Sequence, residues 1–286
     1  MSAGAREPHK VDQSEPLLEV RGLAKEYAEH GPFARSRRVV VAFDEVNFSI
    51  RRGTTLALVG ESGAGKSTLA RCLAFLEPPT RGEIWFEGVN LLALSKQEHI
   101  PVCRKIQLIH QDPASALNPG MTAAEIIAEP LAIQRLGTKD EQRARAIELM
   151  RRVGLSADSA GKRPLEFSGG QRQRLAIARA LALEPSVLIL DEACSGLDLQ
   201  TQELILDLLA GLRAALGMSF IYVSHDLRAV SDFADEVAVM YQGRIVEHRA
   251  SADLFEDPKD PYTRELLGAM PSMESICAGR LIGASR

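Results

Sequence analysis

The sequence between positions 60 and 68 matches the full pattern of a phosphate-binding loop. Its residues are Gly60, Glu61, Ser62, Gly63, Ala64, Gly65, Lys66, Ser67 and Thr68. The glycines let the backbone curl so that successive N–H groups point at one anion, and Lys66 and Ser67 add a positive charge and a hydroxyl. Residues 54–59 predict a buried strand before the loop, and residues 67–76 predict a helix that aims its positive end at the phosphates. The sequence therefore predicts a strand, loop and helix that bind a nucleotide.

The composition favours a globular protein without a nucleic-acid partner. The chain has 286 residues, of which 45% are hydrophobic, and this suits one large domain with an insertion or two small domains. Its net charge of −4 argues against binding nucleic acid by neutralising phosphates, because such a protein would present a basic surface. We therefore expect the ligand charge to be met locally at the loop.

Zinc-binding, export and membrane-spanning signals are not evident in the sequence. The cysteines lie at positions 72, 103, 194 and 277 without a C-x-x-C spacing, which argues against a zinc site or a disulfide framework and favours a reducing cytosol. Residues 1–16 are polar and predict a flexible lead instead of a secretory signal. The longest apolar stretch, 204–223, is interrupted by Asp207 and Arg213 and predicts helix, loop and strand instead of a membrane span.

An antiparallel edge region is predicted on both sides of the loop. Antiparallel edge strands are expected at 17–20, 39–41 and 46–50, and a hairpin at 82–88. The arginines at positions 35, 37 and 38 predict a solvated loop more readily than a binding patch. Residues 106–110 predict a short buried strand that ends beside Gln111.

The second half of the chain predicts a helical insertion and a return to the sheet. Apolar residues recur at helical spacing from 122 to about 153, and Pro130 and Gly137 are expected to break the helices. The remaining predicted elements are a helix at 171–183, a strand at 186–190, a helix at 204–216, and strands at 220–223, 236–240 and 244–246. This order predicts an alternation of helix and strand around a parallel sheet.

Polar residues after predicted strands supply the remaining chemistry of ATP hydrolysis. Lys66 is expected to bridge the β and γ phosphates, Ser67 to bind Mg²⁺ directly, and Asp191 to hold the metal through water. Glu192 is the candidate for polarising the attacking water, and the alternative is an exposed carboxylate at a strand end. His225 follows another strand at the same sheet edge and is a candidate contact to the γ phosphate, although a lone histidine is more often structural.

A second anion site is predicted at residues 168–171. Ser168 has the character of a helix N-cap, and Gly169 and Gly170 leave backbone N–H groups uncovered by side chains before Gln171. A single ATP bound at the phosphate loop would not evidently require this second anion site in the same subunit.

Together, these motifs resemble the nucleotide-binding subunit of an ATP-binding-cassette (ABC) transporter over nearly the whole chain. The signature sequence of that family corresponds to 167–171, its Q-loop to Gln111 and Asp112, its D-loop to 195–198, and its switch histidine to His225. The sequence departs mildly from the family pattern at Phe167, where leucine is commoner, and at Gly196, where alanine is commoner. These departures bear on the rate of hydrolysis or on coupling between the subunits of the dimer. Tyr27 is the candidate for the aromatic that stacks on adenine, and a buried strand tyrosine is the alternative.

The resemblance implies an α/β fold: a P-loop NTPase (RecA-like) core with an antiparallel β subdomain and an inserted α-helical subdomain. It implies an ATPase domain over 17–250, with the insertion at about 112–184, followed by a C-terminal tail over 251–286. ATP and Mg²⁺ are the implied cofactors, with Gln111 contributing to the metal site and linking the γ phosphate to the insertion. Two ATPase subunits are expected to pack head to tail, as a homodimer or a heterodimer, so that the Ser168 region of one covers the ATP held by Lys66 of the other.

Two further stretches resemble the dipeptide/oligopeptide importers within that family. They are the segment after the Q-loop, 112–131, and the tail segment 257–267. The resemblance implies two transmembrane permease subunits, an extracytoplasmic solute-binding protein, and a peripheral position on the cytoplasmic face of the inner membrane. Nickel, glutathione and other small solutes remain alternative substrates, because nothing in this chain would touch the solute. Some relatives carry a C-terminal iron–sulfur cluster, but only Cys277 lies in that region here, so no cluster is predicted.

Three other classes of protein compete with this interpretation. An ABC-type ATPase acting on DNA or ribosomes would predict a coiled-coil insertion or two fused cassettes, and neither is evident. A P-loop kinase would have no use for the 168–171 motif. A degenerate module that binds ATP without cleaving it is opposed by the presence of Glu192 and His225, and it stays an alternative for a heterodimer whose second subunit carries the defects.

Overall fold

The computed structural model describes residues 15–29, 38–112 and 116–269. Residues 1–14 of the predicted N-terminal lead, together with Arg35, Arg37 and Cys277, lie outside the described residues. The strands are β1 (Leu18–Glu29), β2 (Arg38–Ile50), β3 (Thr55–Val59), β4 (Arg81–Phe86), β5 (Val89–Asn90), β6 (Ile106–Ile109), β7 (Val187–Asp191), β8 (Ser219–Val223), β9 (Glu236–Tyr241) and β10 (Arg244–Ala250). The helices are α1 (Lys66–Leu73), α2 (Lys96–Cys103), α3 (Ala123–Ile133), α4 (Lys139–Arg152), α5 (Gly169–Leu181), α6 (Leu199–Leu216), α7 (Leu227–Phe233), α8 (Ser251–Glu256) and α9 (Pro261–Gly268).

The strands form two sheets. The smaller sheet is antiparallel and has the order β2-β1-β4-β5, and the larger has the order β10-β9-β3-β8-β7-β6. Strands β9, β3, β8, β7 and β6 run parallel, so their carboxyl ends meet at one edge. Ligands of open α/β sheets bind outside the carboxyl ends of the strands, which makes this edge the expected site.

The central strands are covered on both faces. Every residue of β3, β7 and β8 is buried, as expected for parallel strands with packed layers on each side. One apolar core joins the two sheets through α1, with Leu69 of the helix packed among residues such as Phe43, Leu58 and Ile221. The first turn of α1 is thereby held at the carboxyl edge of β3.

A second core supports a helical region over 123–181. Helices α3, α4 and α5 bury apolar faces that include Ile127, Leu149 and Ile177. Thr122 and Thr138 begin α3 and α4 with capping boxes, in which the threonine and a glutamate three residues later satisfy each other's backbone N–H groups. No helix in the described ranges is long and apolar enough to cross a membrane.

Several predicted boundaries were wrong, because tertiary packing overrode local signals. Pro130 lies inside α3, where burial of Ile127 and Leu131 on the same helix stabilises it despite the proline. Helix α1 ends at Leu73 instead of residue 76, since Phe75 adopts a left-handed backbone with φ of 58°.

The end of the larger sheet also differs from the predicted alternation of helix and strand. Strands β9 and β10 form an antiparallel hairpin around Gln242 and Gly243, whose φ angles are 47° and 79°. Two positive φ values in a two-residue connection are typical of a tight hairpin turn. Arg38, predicted in a loop, begins β2, and the helices predicted from 171 and 204 begin earlier, at Gly169 and Leu199.

Candidate functional site

The phosphate loop connects β3 to α1, as the motif requires. Gly65 precedes the first residue of α1 with φ of 98°, and no side chain caps this helix. A Cβ atom at Gly65 would clash with the carbonyl oxygen of Ala42, and one at Gly60 would clash with that of Met240. Only glycine therefore fits these two turns, and no side chain of the described residues accepts from the N–H groups of the first turn of α1.

Lys66 is buried and folded back onto its own loop. Its Nζ donates to the carbonyl oxygens of Gly60, at 2.7 Å, and Glu61, at 2.8 Å. Burial lowers the pKa of Lys66, while the nearby carboxylates of Glu192 and Asp191 oppose that shift. The ammonium therefore lies beside the carboxylates at the strand tips.

Ser67 and Asp191, two of the three proposed metal ligands, lie in direct contact. The Ser67 hydroxyl donates to Oδ1 of Asp191 at 2.8 Å, and burial raises the pKa of Asp191 despite this hydrogen bond. A hydroxyl and a carboxylate are oxygen donors of the kind Mg²⁺ prefers, so the residues fit that ion. The described ranges contain no group of three or more His, Cys, Asp or Glu side chains that could hold a metal.

Glu192 lies at the meeting point of three strand ends. Its backbone is left-handed, with φ of 48°, and its N–H donates to the carbonyl oxygen of Val223 at 3.0 Å. Gln111, after β6, donates from Nε2 to Oε2 of Glu192 at 2.9 Å. His225, after β8, has Nδ1 3.5 Å from Oε1 of Glu192. The carboxylate predicted to activate water is thus flanked by the two other residues predicted to face the γ phosphate.

The second predicted anion site begins α5 in a fully capped form. Ser168 Oγ accepts from the Gln171 N–H at 3.3 Å, and Gln171 Oε1 accepts from the Ser168 N–H at 3.0 Å. Gly169 faces the D-loop, since a Cβ atom there would lie 3.6 Å from the Leu197 side chain. Gly170 is packed more closely, against Thr201.

A cavity of about 620 Å³ joins this helix start to the residues near Glu192. It is lined by Gln111, Asp112, Gly169, Arg172, Ser195, Gly196, Leu197 and His225. Residues 60–68, all of which are described, do not line it. The two predicted anion sites therefore occupy separate places within one chain.

Tyr27 lies on β1 beside the end of α1. Its hydroxyl donates to the Glu77 carboxylate, and Lys25 Nζ lies 4.9 Å from the ring centroid. Arg71 donates to Glu77 at 2.6 Å and to the Thr68 hydroxyl at 3.2 Å. A chain of polar contacts thus connects Tyr27 to the end of the phosphate loop, and the tyrosine is partly exposed instead of buried within its strand.

Sequence reasoning missed Tyr262 as a neighbour of the loop. The Glu61 N–H donates to the Tyr262 hydroxyl at 3.0 Å, from a residue 201 positions away in the chain. The only available signal was that Tyr262 lies within the tail segment singled out at 257–267, which by itself says nothing about the loop.

The larger parallel sheet, the uncapped loop and the carboxylates at the strand tips define an ATP-hydrolysing cassette. A model of the ABC transporter family matches residues 43–195, and the chain belongs to that family. It is an ABC ATPase whose hydrolysis of ATP is coupled to transport, as the resemblance in sequence implied.

Curated relatives match most of the chain. The dipeptide transport ATP-binding protein DppF of Escherichia coli (strain K12) is 44% identical over 260 residues, which are 91% of this chain and 78% of DppF. The DppF protein of Haemophilus influenzae is 42% identical over 93% of this chain and 81% of its own length. The probable peptide ABC transporter ATP-binding protein y4tS of Sinorhizobium fredii is 46% identical over 90% of this chain and 73% of its length.

Solved structures share the fold. A dimeric post-hydrolysis structure of the ATP-binding cassette MJ0796, bound to ADP and Pi, matches with a TM-score of 0.72 and 30% identity, covering 82% of this chain and 98% of that chain. The cbiO1 protein of Clostridium perfringens, part of the ABC transporter complex cbiONQ, matches with a TM-score of 0.74 and 27% identity, covering 93% of this chain and 100% of that chain. The predicted fold, a P-loop NTPase core with an antiparallel sheet and helices, is confirmed.

Proposed function

We propose that this chain is the ATPase subunit that energises import of dipeptides or oligopeptides through separate membrane-spanning subunits. The observation that carries the proposal is identity of 42% to 46% over at least 90% of the chain to proteins named for dipeptide or peptide transport. The partners are two transmembrane permeases, a second ATPase subunit and, indirectly, a solute-binding protein. The chain would act at the cytoplasmic face of the inner membrane, as a peripheral subunit.

We assign ATP binding to the phosphate loop. The phosphates of ATP would contact Lys66 and the free N–H groups at the start of α1. When ATP binds, Lys66 replaces its hydrogen bonds to the Gly60 and Glu61 carbonyl oxygens with hydrogen bonds to phosphate. Hydrogen bonds between two charged groups are stronger than those to a neutral carbonyl, so phosphate stabilises the buried ammonium better. Mg²⁺ supplies charge neutralisation when bound, and Ser67, Asp191 and Gln111 are the residues that would hold it. Tyr27 is the proposed contact to adenine.

Hydrolysis is assigned to Glu192, which accepts a proton from the attacking water. Gln111 donates to Oε2 of Glu192 and His225 Nδ1 lies 3.5 Å from Oε1, from the strands on either side of β7, and this restricts the direction from which Glu192 can accept that proton. His225 also serves as the donor toward the γ phosphate, and Gln111 connects the site to the helical region that begins after β6. Each of these roles depends on a side chain at the carboxyl edge of the larger sheet.

Completion of the site is assigned to a second subunit packed head to tail. The proposal is supported by the cavity beside Gly169, because residues 60–68 of the same chain do not line it. In such a dimer, the N–H groups of Gly169 and Gly170 would face the phosphates held by the partner subunit. Closure of the dimer around ATP would then draw the attached permeases together, and hydrolysis would release them.

The proposal is tested by purifying this chain with the permease and ATPase subunits encoded beside its gene and measuring ATPase activity in lipid. A binding protein loaded with a dipeptide or oligopeptide should stimulate hydrolysis, whereas the unloaded protein should not. Glu192→Gln is the matched control: it should bind ATP normally and lose about 10²- to 10⁴-fold in turnover, the usual worth of a general base. Stimulation by nickel or glutathione but not by peptides would overturn the peptide assignment, and unchanged turnover in Glu192→Gln would remove Glu192 from its role.

A further inference from the structure

The peptide group between Gly60 and Glu61 is hydrogen-bonded on both sides. Its carbonyl oxygen, from Gly60, accepts from Lys66 Nζ at 2.7 Å, and its N–H, from Glu61, donates to the Tyr262 hydroxyl at 3.0 Å. The C=O and N–H of a planar trans peptide point in opposite directions, so one rotation of this group would break both contacts. The Tyr262 hydroxyl and the Lys66 ammonium are therefore joined through one rigid unit.

Tyr262 is itself held firmly at the start of α9. Its ring packs on Tyr241 at the end of β9, with ring centroids 4.1 Å apart and planes inclined by 31°. Asp260 caps the helix by accepting from the Tyr262 N–H at 2.8 Å. The hydroxyl thus projects from a fixed ring instead of from a freely rotating side chain.

The segment before α9 is anchored to β10 by a buried carboxylate. Glu247 of β10 accepts from the N–H groups of Lys259 and Asp260, each at 2.9 Å. Hydrogen bonds from two backbone N–H groups lower the pKa of Glu247 against the opposing effect of its burial, which keeps the anchor ionised. Helix α9 is consequently built onto the sheet that carries the phosphate loop.

We infer that Tyr262 is a positioning residue for ATP binding: its hydroxyl fixes the Gly60–Glu61 peptide and thereby the curled loop from which Lys66 turns toward the phosphates. The inference rests on the proposed role of Lys66 in phosphate binding. It gives the tail, which lies beyond the family match at 43–195, a direct contact with the nucleotide site. Binding is tighter when the loop already has its curled form before ATP binds, because less free energy is spent on ordering the loop. The hydrogen bond from the Glu61 N–H to the Tyr262 hydroxyl supplies part of that order.

The test compares Tyr262→Phe with Tyr241→Phe in the full chain. Tyr262→Phe removes the hydroxyl and keeps the ring pair, whereas Tyr241→Phe removes a hydroxyl that, within the described part of the chain, accepts from the Gln242 side chain at 3.2 Å. Binding of Mg²⁺-ATP is measured by calorimetry, and ATPase activity is measured across ATP concentrations. Loss of one hydrogen bond predicts an ATP dissociation constant and KM raised about three- to tenfold for Tyr262→Phe, with kcat within about twofold of the native value. Tyr241→Phe should leave all three values within about twofold.

Melting of the nucleotide-free proteins separates positioning from folding. We expect Tyr262→Phe to melt within about 2 °C of the native chain, because the ring contact and the helix cap are kept. Native ATP affinity in Tyr262→Phe, or an equal loss in Tyr241→Phe, would overturn the inference. Lys66→Ala tests the role of Lys66 separately from the role of Tyr262. Native ATP binding in Lys66→Ala would refute the proposed role of Lys66. Lost binding in Lys66→Ala together with native ATP binding in Tyr262→Phe would refute only the role of Tyr262.

Discussion

Two helices of this chain begin at predicted anion sites, and their first turns are built in opposite ways. Helix α1 begins after Gly65 with no side-chain cap, while α5 begins after Ser168 with a complete capping box. The uncapped start leaves backbone N–H groups free for a ligand, whereas the capped start satisfies the Gln171 N–H within the chain. A bound anion stabilises an uncapped helix start, because it interacts favourably with the free N–H groups and the positive end of the helix dipole. From this difference we expect α1 to determine ATP affinity and α5 to contribute only when a second subunit brings it to the phosphates.

The largest effect is expected from Lys66→Ala. Loss of the only side-chain cation of the loop should lower kcat/KM for ATP by about 10²- to 10³-fold, the usual cost of removing one preorganised donor. Lys105→Ala is the matched control, because Lys105 lies before β6, at the opposite edge of the sheet, where Nζ donates to the Glu184 carbonyl oxygen at 3.3 Å. Steady-state ATPase kinetics check the pair. Comparable losses in both variants would mean that the charge acts at a distance and not at the loop.

Gly65→Ala should damage both folding and binding. The added Cβ would clash with the Ala42 backbone at a φ of 98°, and such strain costs about 1 to 3 kcal/mol of stability. Thermal unfolding and ATP calorimetry should therefore show a lower Tm and ATP affinity reduced at least about tenfold, because the helix start would shift. A variant with native Tm and affinity would show that the uncapped turn does not require glycine.

Gly169→Ala should affect assembly without affecting folding. Its Cβ would lie 3.6 Å from the Leu197 side chain, an ordinary contact, so Tm and ATP binding by the separate subunit should stay at native values. In a Glu192→Gln background, where ATP persists, sedimentation should show weaker ATP-dependent dimers. Weaker ATP binding by the separate subunit would instead mean that α5 acts on the ATP of its own chain.

The smallest effect is expected from Ser168→Ala. Loss of one N-cap costs about 1 kcal/mol and should lower Tm by about 2 °C. Thr138→Ala removes the equivalent cap from α4, away from the ATP site, and should lower Tm by a similar amount. Only Ser168→Ala should also weaken the ATP-dependent dimer in sedimentation. Equal dimer formation in the two variants would confine Ser168 to helix capping.

Local chemistry was easier to predict than its surroundings. The phosphate loop, the succession of Asp191 and Glu192, and the Ser168 start were recognisable because each depends on residues within a few positions of one another. Pro130 was misplaced as a helix break because the burial that stabilises α3 comes from distant elements. The hairpin of β9 and β10 was missed because short apolar segments do not reveal the direction of the strand beside them.

The sequence by itself determined the chemical inventory: a loop that only glycine can trace, a lysine and a serine after it, and carboxylates at the end of a buried strand. The tertiary structure decided which of these groups meet. Gln111 and His225 reach Glu192 because β6, β7 and β8 lie side by side in parallel, and Tyr262 reaches Glu61 across 201 positions because α9 packs beside β9. Strand order and long-range packing arise from burial of the whole core, so no short stretch of sequence encodes them.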